Sequence, residues 1–194
     1  MKQPLYSPLP HSVTHEGRTY KINPSFDCVL ETFSVFRRED LTEPEKADYA
    51  LFILVKGRHP VSGDLLNAVF DTLIEKPEGQ SDAPKSFDFD QDAPYIYAGF
   101  KQAYGIDLYE ERGKLHWWKF MSLFAGLPEN TRIREIMSIR ARKIPAATKH
   151  NGEEIKQLME LKAHYALKLS EEEREGQFKK GLQKIAGAIF GMAK

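Results

Sequence analysis

Residues 113–126 read GKLHWWKFMSLFAG, and this stretch carries the clearest helical pattern in the sequence. Between Gly113 and Gly126 the large apolar side chains recur at the spacing of an amphipathic helix, which predicts a helix from Lys114 to Ala125. Its predicted apolar face consists of Leu115, Trp118, Phe120, Met121 and Phe124. Because adjacent side chains point about 100° apart on a helix, we expect Trp118 to enter the core and Trp117 to lie at its rim.

Helical patterns continue on the C-terminal side of this stretch. Thr131 is positioned to cap a helix running to about Arg142, which Pro145 ends. Residues 152–174 and the chain beyond them form the longest predicted helical region, with a break near Gly176. On the N-terminal side, the acidic residues from Asp88 onward suit the first turn of a helix with Tyr95, Ile96, Phe100 and Tyr104 on its apolar face.

The N-terminal third has signals for three more helices and a hairpin. The helices are predicted to begin near Ser25, at the capping box of Thr42 and Glu45, and after Ser62. The second is apolar on most sides, which predicts a centrally buried helix. Residues 11–22 alternate around Glu16 and Gly17 as in a β-hairpin. A two-stranded ribbon is marginal alone, so it should lie on helices or pair with another subunit's edge.

Together these patterns predict a mainly α protein, a helical bundle with a short N-terminal β-hairpin. Glycine, serine and proline concentrate between residues 78 and 86, which predicts a linker. We therefore expect an N-terminal hairpin and three-helix subdomain at 1–77, a linker at 78–86, a central helical subdomain at 87–145, and C-terminal helices with a basic amphipathic tail at 146–194.

Composition and motifs favour a non-enzymatic protein without a cofactor. The chain has 194 residues, 41% of them hydrophobic, and a single cysteine, Cys28, which excludes a disulfide framework. Asp88, Asp90 and Asp92 resemble the start of a calcium loop, but the glycine and glutamate that such a loop requires are missing. His11 and His15 lack a third metal ligand nearby. No membrane span or signal peptide is evident, so we expect a cytoplasmic location.

Charge is neutral overall but unevenly distributed. Residues 1–129 carry 14 basic and 20 acidic side chains, whereas residues 130–194 carry 14 basic and 8 acidic ones. This asymmetry permits attraction within or between copies, although a solvated charged face explains it as well. A basic cluster lies in the predicted helix before Pro145, but apolar rather than exposed aromatic residues interleave it, so we expect no nucleic-acid partner. Its members are Arg132, Arg134, Arg140, Arg142 and Lys143.

The C-terminal tail combines an apolar seam with positive charge. Phe178, Leu182, Ile185, Ile189 and Met192 recur at spacings of three and four. The tail carries Lys179, Lys180 and Lys184 and has no acidic residue after Glu175. Such a segment suits either a last core helix or a helix that binds a protein partner, and we rank these two alternatives equally. Binding to a membrane surface ranks well below them, so we expect no membrane partner.

Several motifs resemble a known phage family. They are the stretch from Asp90 to Leu108, the stretch from Gly113 to Phe120, Gly126-Leu-Pro, Ile139-Arg140 and, less densely, Asn23-Pro-Ser-Phe26. In these motifs the chain is similar to the gene-product-fifteen family of tailed phages and prophages of Gram-positive bacteria.

The resemblance implies a tail-morphogenesis protein of the bacterial host cytoplasm. By its typical gene position, such a protein looks like a tail assembly chaperone that binds the tape measure protein during tube assembly, with the tail tube protein as a second candidate partner. A structural virion component, in the tail or at head–tail completion, is the alternative. The resemblance supplies no catalytic residue. We expect the tail side chains above to bind the partner and Tyr95, Tyr97 and Trp117 to form a homo-oligomer interface.

Overall fold

The structure, a computed structural model, describes residues 4–74 and 85–168. It confirms the mainly α class with an N-terminal hairpin. Within the described ranges the strands are β1 (Ser12–His15), β2 (Arg18–Ile22) and β3 (Val55–Lys56). The helices there are α1 (Phe26–Phe36), α2 (Glu43–Leu54), α3 (Gly63–Leu73), α4 (Ala93–Tyr104), α5 (Trp117–Ala125), α6 (Arg132–Ala141) and α7 (Gly152–His164).

The hairpin pairs with the chain's own third strand. Its turn residues Glu16 and Gly17 have φ values of 47° and 73°, as a type I′ hairpin turn requires. Strand β2 also pairs antiparallel with β3, so the sheet order is β1-β2-β3. Strand β3 has only two residues, and its pairing partners on β2 are far away in the sequence. It therefore has no periodic pattern of its own, which explains why the sequence did not predict it. The sheet therefore covers one hairpin edge without a second subunit.

Local capping residues begin and end several helices as predicted. The capping box of Thr42 and Glu45 is formed at the start of α2. The Ser62 hydroxyl accepts a hydrogen bond from the Leu65 amide, 3.3 Å away, at the start of α3. Gly105 ends α4 in the left-handed conformation, with φ at 69°, a conformation that glycine adopts without a steric penalty.

Helix α5 begins at Trp117, three residues later than predicted, because the residues before it make a β-bridge. Ser25 and His116 form an isolated antiparallel bridge. In it the Phe26 amide donates to the Leu115 carbonyl at 2.9 Å, and the Trp117 amide donates to the Pro24 carbonyl at 2.7 Å. This bridge fixes the start of α1 against the start of α5.

An aromatic stack forms the centre of the core. The Phe120 ring is stacked on Phe26 and on Phe100, with centroid distances of 4.8 and 5.1 Å. Gly99 lets α6 approach α4 closely, because a Cβ there would lie 3.3 Å from Ile133 Cγ2. Buried side chains from α1–α3 and from α4–α6 belong to one continuous cluster. Most of the predicted linker lies outside the described residues, and the proposed domain boundaries stay a prediction.

Two burial predictions are wrong. Trp117 is 5% exposed, whereas Trp118 is only partly buried, so the two tryptophans exchange their expected places. Helix α2 is not buried on most sides, because Phe52 is 79% and Tyr49 is 49% exposed. Only one stripe of α2 is covered, formed by Ala50, Leu51 and Leu54.

A buried ion pair joins α6 to the start of α4. The Arg140 guanidinium donates to both carboxylate oxygens of Asp92, at 2.6 and 2.9 Å. The two side chains are 7% and 1% exposed. Arg140 Nε also donates to the Tyr165 carbonyl, just after α7. Arg140 therefore connects α6 to the start of α4 and to the residue that follows α7.

Helix α7 is the most exposed helix of the described part of the chain. It buries Leu158, and Tyr165 packs on Ile136 and Ile139. It ends at His164, and the remainder of the longer predicted helix lies largely beyond the described residues. Among the helices that the structure describes, none has the length and apolar character to cross a membrane.

Candidate interaction surfaces

Helix α5 carries a second apolar stripe on its outer side. Trp118, Met121, Ser122 and Ala125 follow one another at spacings of three, one and three, and so share one face of the helix. With Leu73 and Ile74 of the α3 end and the edge of Trp117 they line an open groove of about 380 Å³. We call these seven residues the Trp118 groove. Among the described residues its lining has no charged side chain.

A specific hydrogen bond joins the two sides of the Trp118 groove. Trp118 Nε1 donates a hydrogen bond to the Leu73 carbonyl at 2.6 Å, which ties α5 to the end of α3. Ser122 and Ala125 are small and exposed, so the backbone of an incoming segment can approach them closely. Tryptophan and methionine are enriched at protein interfaces. The arrangement suits the apolar face of an amphipathic helix.

A second, smaller cavity lies between α1, α4 and the turn of residues 106–113. Its volume is about 140 Å³, and its apolar lining comes from Phe26, Leu30, Phe89, Ile96, Leu108 and Phe120. We call it the α1–α4 cavity. Tyr109, 73% exposed, lies at its rim. Asp27 and Arg112 also line it, with Arg112 Nε 3.9 Å from an Asp27 carboxylate oxygen.

The three aromatic residues predicted for an oligomer interface do not form one open face. Trp117 is buried in the chain's own core, edge-on to Phe33 at 5.8 Å. Tyr95 packs against the Ile136 and Ile139 cluster. The Tyr97 hydroxyl donates to Asp107 at 2.9 Å, and this bond raises the pKa of Tyr97. Self-association itself stays a prediction.

The predicted partner-binding residues of the tail lie outside the described residues. They are Phe178, Lys179, Lys180, Leu182, Lys184, Ile185, Ile189 and Met192. The structure does show where the tail departs: the Lys168 amide donates to Gln91 Oε1 at 2.8 Å, and Gln91 Nε2 donates to the Ala166 carbonyl at 2.9 Å. The tail therefore starts beside the N-terminus of α4.

Two members of the predicted basic cluster are engaged within the protein. Arg140 is buried against Asp92. Arg132 pairs with Glu135 at 2.6 Å and donates to the Tyr165 hydroxyl, with its guanidinium over the Tyr165 ring. Arg142 and Lys143 remain exposed. The cluster thus divides between internal contacts and solvent.

The titratable groups with shifted pKa values serve structural contacts. Burial raises the pKa of the Cys28 thiol, which keeps the thiol protonated rather than nucleophilic. Burial lowers the pKa of His116. Although burial of Asp88 acts in the opposite direction, hydrogen bonds from Lys85 and from the Gln91 and Asp90 amides lower its pKa to about 2. Within residues 4–74 and 85–168, no three His, Cys, Asp or Glu side chains are grouped to hold a metal.

Sequence reasoning missed the Trp118 groove because it assigned Trp118 and Met121 to the core. The signal that identifies it is the second uncharged stripe of α5, which the small residues Ser122 and Ala125 continue. The α1–α4 cavity had no sequence signal, since its lining comes from four separate segments.

Comparison with known protein families gives a match over most of the chain. A family model described as Bacteriophage Gp15 protein matches residues 5–167. No curated protein and no solved structure matches the chain. The match covers the described helices and ends just before the tail.

Proposed function

This chain belongs to the Bacteriophage Gp15 protein family, and from that premise we propose that it is a non-enzymatic tail assembly chaperone of a phage or prophage. In this role it binds the tape measure protein in the cytoplasm of the bacterial host while the tail tube is assembled. The tail tube protein is the second candidate partner, and the proposal includes neither nucleic acid nor a membrane.

The Trp118 groove is the observation that carries this proposal. A tape measure protein is long, and a helper that keeps it available must hold apolar helical faces that would otherwise associate with each other. An uncharged groove with an indole, a thioether and two small side chains offers such a face a complementary surface. Contacts at Trp118 and Met121 would provide most of the binding energy, because large side chains at the centre of an interface dominate affinity.

The tail offers a second contact of a different kind. Its apolar seam and lysines suit a helical partner with acidic side chains. Two weak contacts on one chain raise the effective concentration of each for a long partner, so their combined affinity exceeds that of either alone.

The test is co-expression with the tape measure protein from the same phage genome, followed by affinity capture. Ala125→Arg places a charge in the Trp118 groove at an exposed position, and we expect it to abolish co-purification. Ala98→Arg, an exposed alanine on α4 outside the groove, is the matched control and should retain it. Undiminished capture by a folded Ala125→Arg variant would contradict the proposal.

A second measurement separates a chaperone from a structural virion component. The protein is quantified in purified mature particles and in tail assembly intermediates. A chaperone is enriched in the intermediates and depleted from the particles. Equal stoichiometric amounts in both would instead identify a structural part of the tail or of the head–tail junction.

A further inference from the structure

The α1–α4 cavity has no occupant within the described chain, although its walls are largely apolar. Phe26 and Phe120 at its floor are buried, while Leu30 and Tyr109 leave it open at the rim. Apolar cavities of about 150 Å³ hold a benzene ring in other proteins. A cavity of about 140 Å³ with an open side therefore has room for one aromatic or branched side chain.

The described chain ends next to this cavity. Lys168 is held by Gln91, and Gln91 lies between Phe89 and Ala93, which both line the cavity. Residues 169–194 follow, and Phe178 is the first residue of their apolar seam. The ten residues from Lys168 to Phe178 span about 15 Å as a helix and about 33 Å when extended. Phe89 and Ala93, which form part of the cavity wall, are each two positions from Gln91 in the sequence. Either length is therefore enough for Phe178 to reach the cavity from Lys168.

Charge favours the same placement. Eight acidic residues lie in the cavity lining or directly beside a lining residue in the sequence: Asp27, Glu31, Asp88, Asp90, Asp92, Asp107, Glu110 and Glu111. Two basic residues meet the same criterion, Arg112 and Lys119, and five more contact the acidic residues: Arg37, Lys85, Lys101, Lys114 and Arg140. The surroundings are therefore net acidic, whereas the tail after Glu175 carries lysines and no acid. The lysines of the tail would lie against the oppositely charged rim of the cavity, and Phe178 of its apolar seam would lie against the apolar floor.

We propose that the α1–α4 cavity is the docking site for the chain's own C-terminal tail, with the Phe178 ring in the cavity and Lys179 and Lys180 at its acidic rim. Docking within one chain covers Phe178, the first residue of the seam that an external partner would otherwise contact. A partner must then compete with the cavity, so the tail is released only to a ligand that binds it more tightly. This docking does not depend on the identity of that partner.

Chemical cross-linking of the full-length chain tests the docking. In a Cys28→Ser background, cysteines are introduced by Tyr109→Cys at the cavity rim and Lys180→Cys in the tail, and a short bismaleimide is added. The matched control pairs Lys180→Cys with Tyr49→Cys, another exposed tyrosine, on α2. We expect a cross-link within one chain for the first pair, independent of protein concentration, and little for the control.

Two further variants make the result specific. Ala93→Arg introduces a bulky charge at an exposed position of the cavity lining, and Phe178→Asp removes the proposed ring. Either change should lower cross-linking to the control level, while Ala98→Arg on the same helix should not. Equal cross-linking of both cysteine pairs, or insensitivity to Ala93→Arg and Phe178→Asp, would overturn the proposal. Cross-linked dimers in place of intramolecular products would also overturn it, because the occupant would then be a second copy's tail. No tape measure protein is present, so the outcome is independent of the proposed function.

Discussion

His116 lies where three segments of the chain meet, and it is 4% exposed. Its Nδ1 accepts a hydrogen bond from the Trp118 amide at 3.0 Å and caps α5. Its Nε2 lies 3.2 Å from the Pro10 carbonyl, to which a neutral ring protonated at Nε2 donates. The ring also contacts His11 edge-on, at a centroid distance of 5.5 Å. Protonation of Nδ1 would remove the cap and place a charge in a buried site.

We therefore predict that stability falls in mildly acidic solution. Because burial lowers the folded-state pKa of His116, the unfolded chain binds the proton more readily, and the free energy of unfolding decreases as pH falls below about 6.5. The decrease continues to the folded-state pKa and then levels off. Thermal unfolding by circular dichroism between about pH 8 and about pH 5 measures this effect.

His116→Asn provides the control, because asparagine caps a helix without titrating in this range. The variant should show a shallower loss of melting temperature over the same pH interval. Parallel curves for the two proteins would indicate that other groups cause the acid sensitivity.

We predict that substitution of Arg140 strongly destabilises the protein. Arg140→Ala leaves the Asp92 carboxylate, 1% exposed, without its buried partner. Breaking such a pair costs about 3–5 kcal/mol of unfolding free energy. Urea denaturation measures the loss, and Arg142→Ala, an exposed neighbour, should stay within about 0.5 kcal/mol of the wild type. A cost below about 1 kcal/mol for Arg140→Ala would contradict this prediction, because such a value is typical of an exposed ion pair.

At the scale of the element, α5 supports a comparison of its two tryptophans. Trp117 is buried among Phe33, Phe89 and Phe120, so Trp117→Ala should cost about 3–5 kcal/mol. Trp118→Ala should cost less, because the side chain is only partly buried and its hydrogen bond to Leu73 contributes about 1 kcal/mol net. Chemical denaturation of both variants decides the order. A larger loss of unfolding free energy for Trp118→Ala would instead support the sequence-based prediction that Trp118, rather than Trp117, lies in the core.

Local signals explain which elements the sequence predicts. The Thr42 capping box, the Glu16–Gly17 turn and Gly105 each act within a few residues, so their structures follow from the sequence around them. The exact start of α5 does not, because Ser25 and His116 form their bridge across 91 positions. The choice between Trp117 and Trp118 depends on which face of α5 the helices α1 and α4 cover, and periodicity alone assigned it wrongly. The Asp92–Arg140 pair, the Trp118 groove and the α1–α4 cavity are likewise formed by residues far apart in the sequence.

Helix α7 should open more readily than α5. It buries Leu158, and its contacts to the body depend largely on Tyr165, Arg140 and the Lys162 ammonium, which donates to the Arg140 carbonyl at 2.6 Å. Few buried apolar contacts correspond to a low free energy of local opening. In hydrogen-exchange mass spectrometry, residues 152–164 should exchange faster than residues 117–125. Equal protection would show that α7 is covered in solution by something outside the described structure, such as a second copy.

At the scale of the whole molecule, the uneven charge distribution favours self-association. Residues 1–129 have an acidic excess and residues 130–194 a basic one of equal size. Copies that associate through these segments should dissociate as salt screens the attraction. Light scattering at low and high ionic strength measures this, and the expected result is a larger mass at low salt. A strictly monomeric mass at high protein concentration and low salt would contradict the prediction.

The β-bridge between Ser25 and His116 also has a consequence for biosynthesis. Helix α1 leaves the ribosome long before α5, which carries Phe120, the stacking partner of Phe26, and Trp117, one of two aromatic partners of Phe33. Closing a loop of this length carries an entropic cost that the nascent chain recovers only when both ends are present. Until α5 emerges, the part of the α1 face that α5 covers is therefore unpaired. A ribosome paused before residue 113 would hold a chain prone to aggregation, so the client-binding protein that we propose would itself depend on nascent-chain protection by its host.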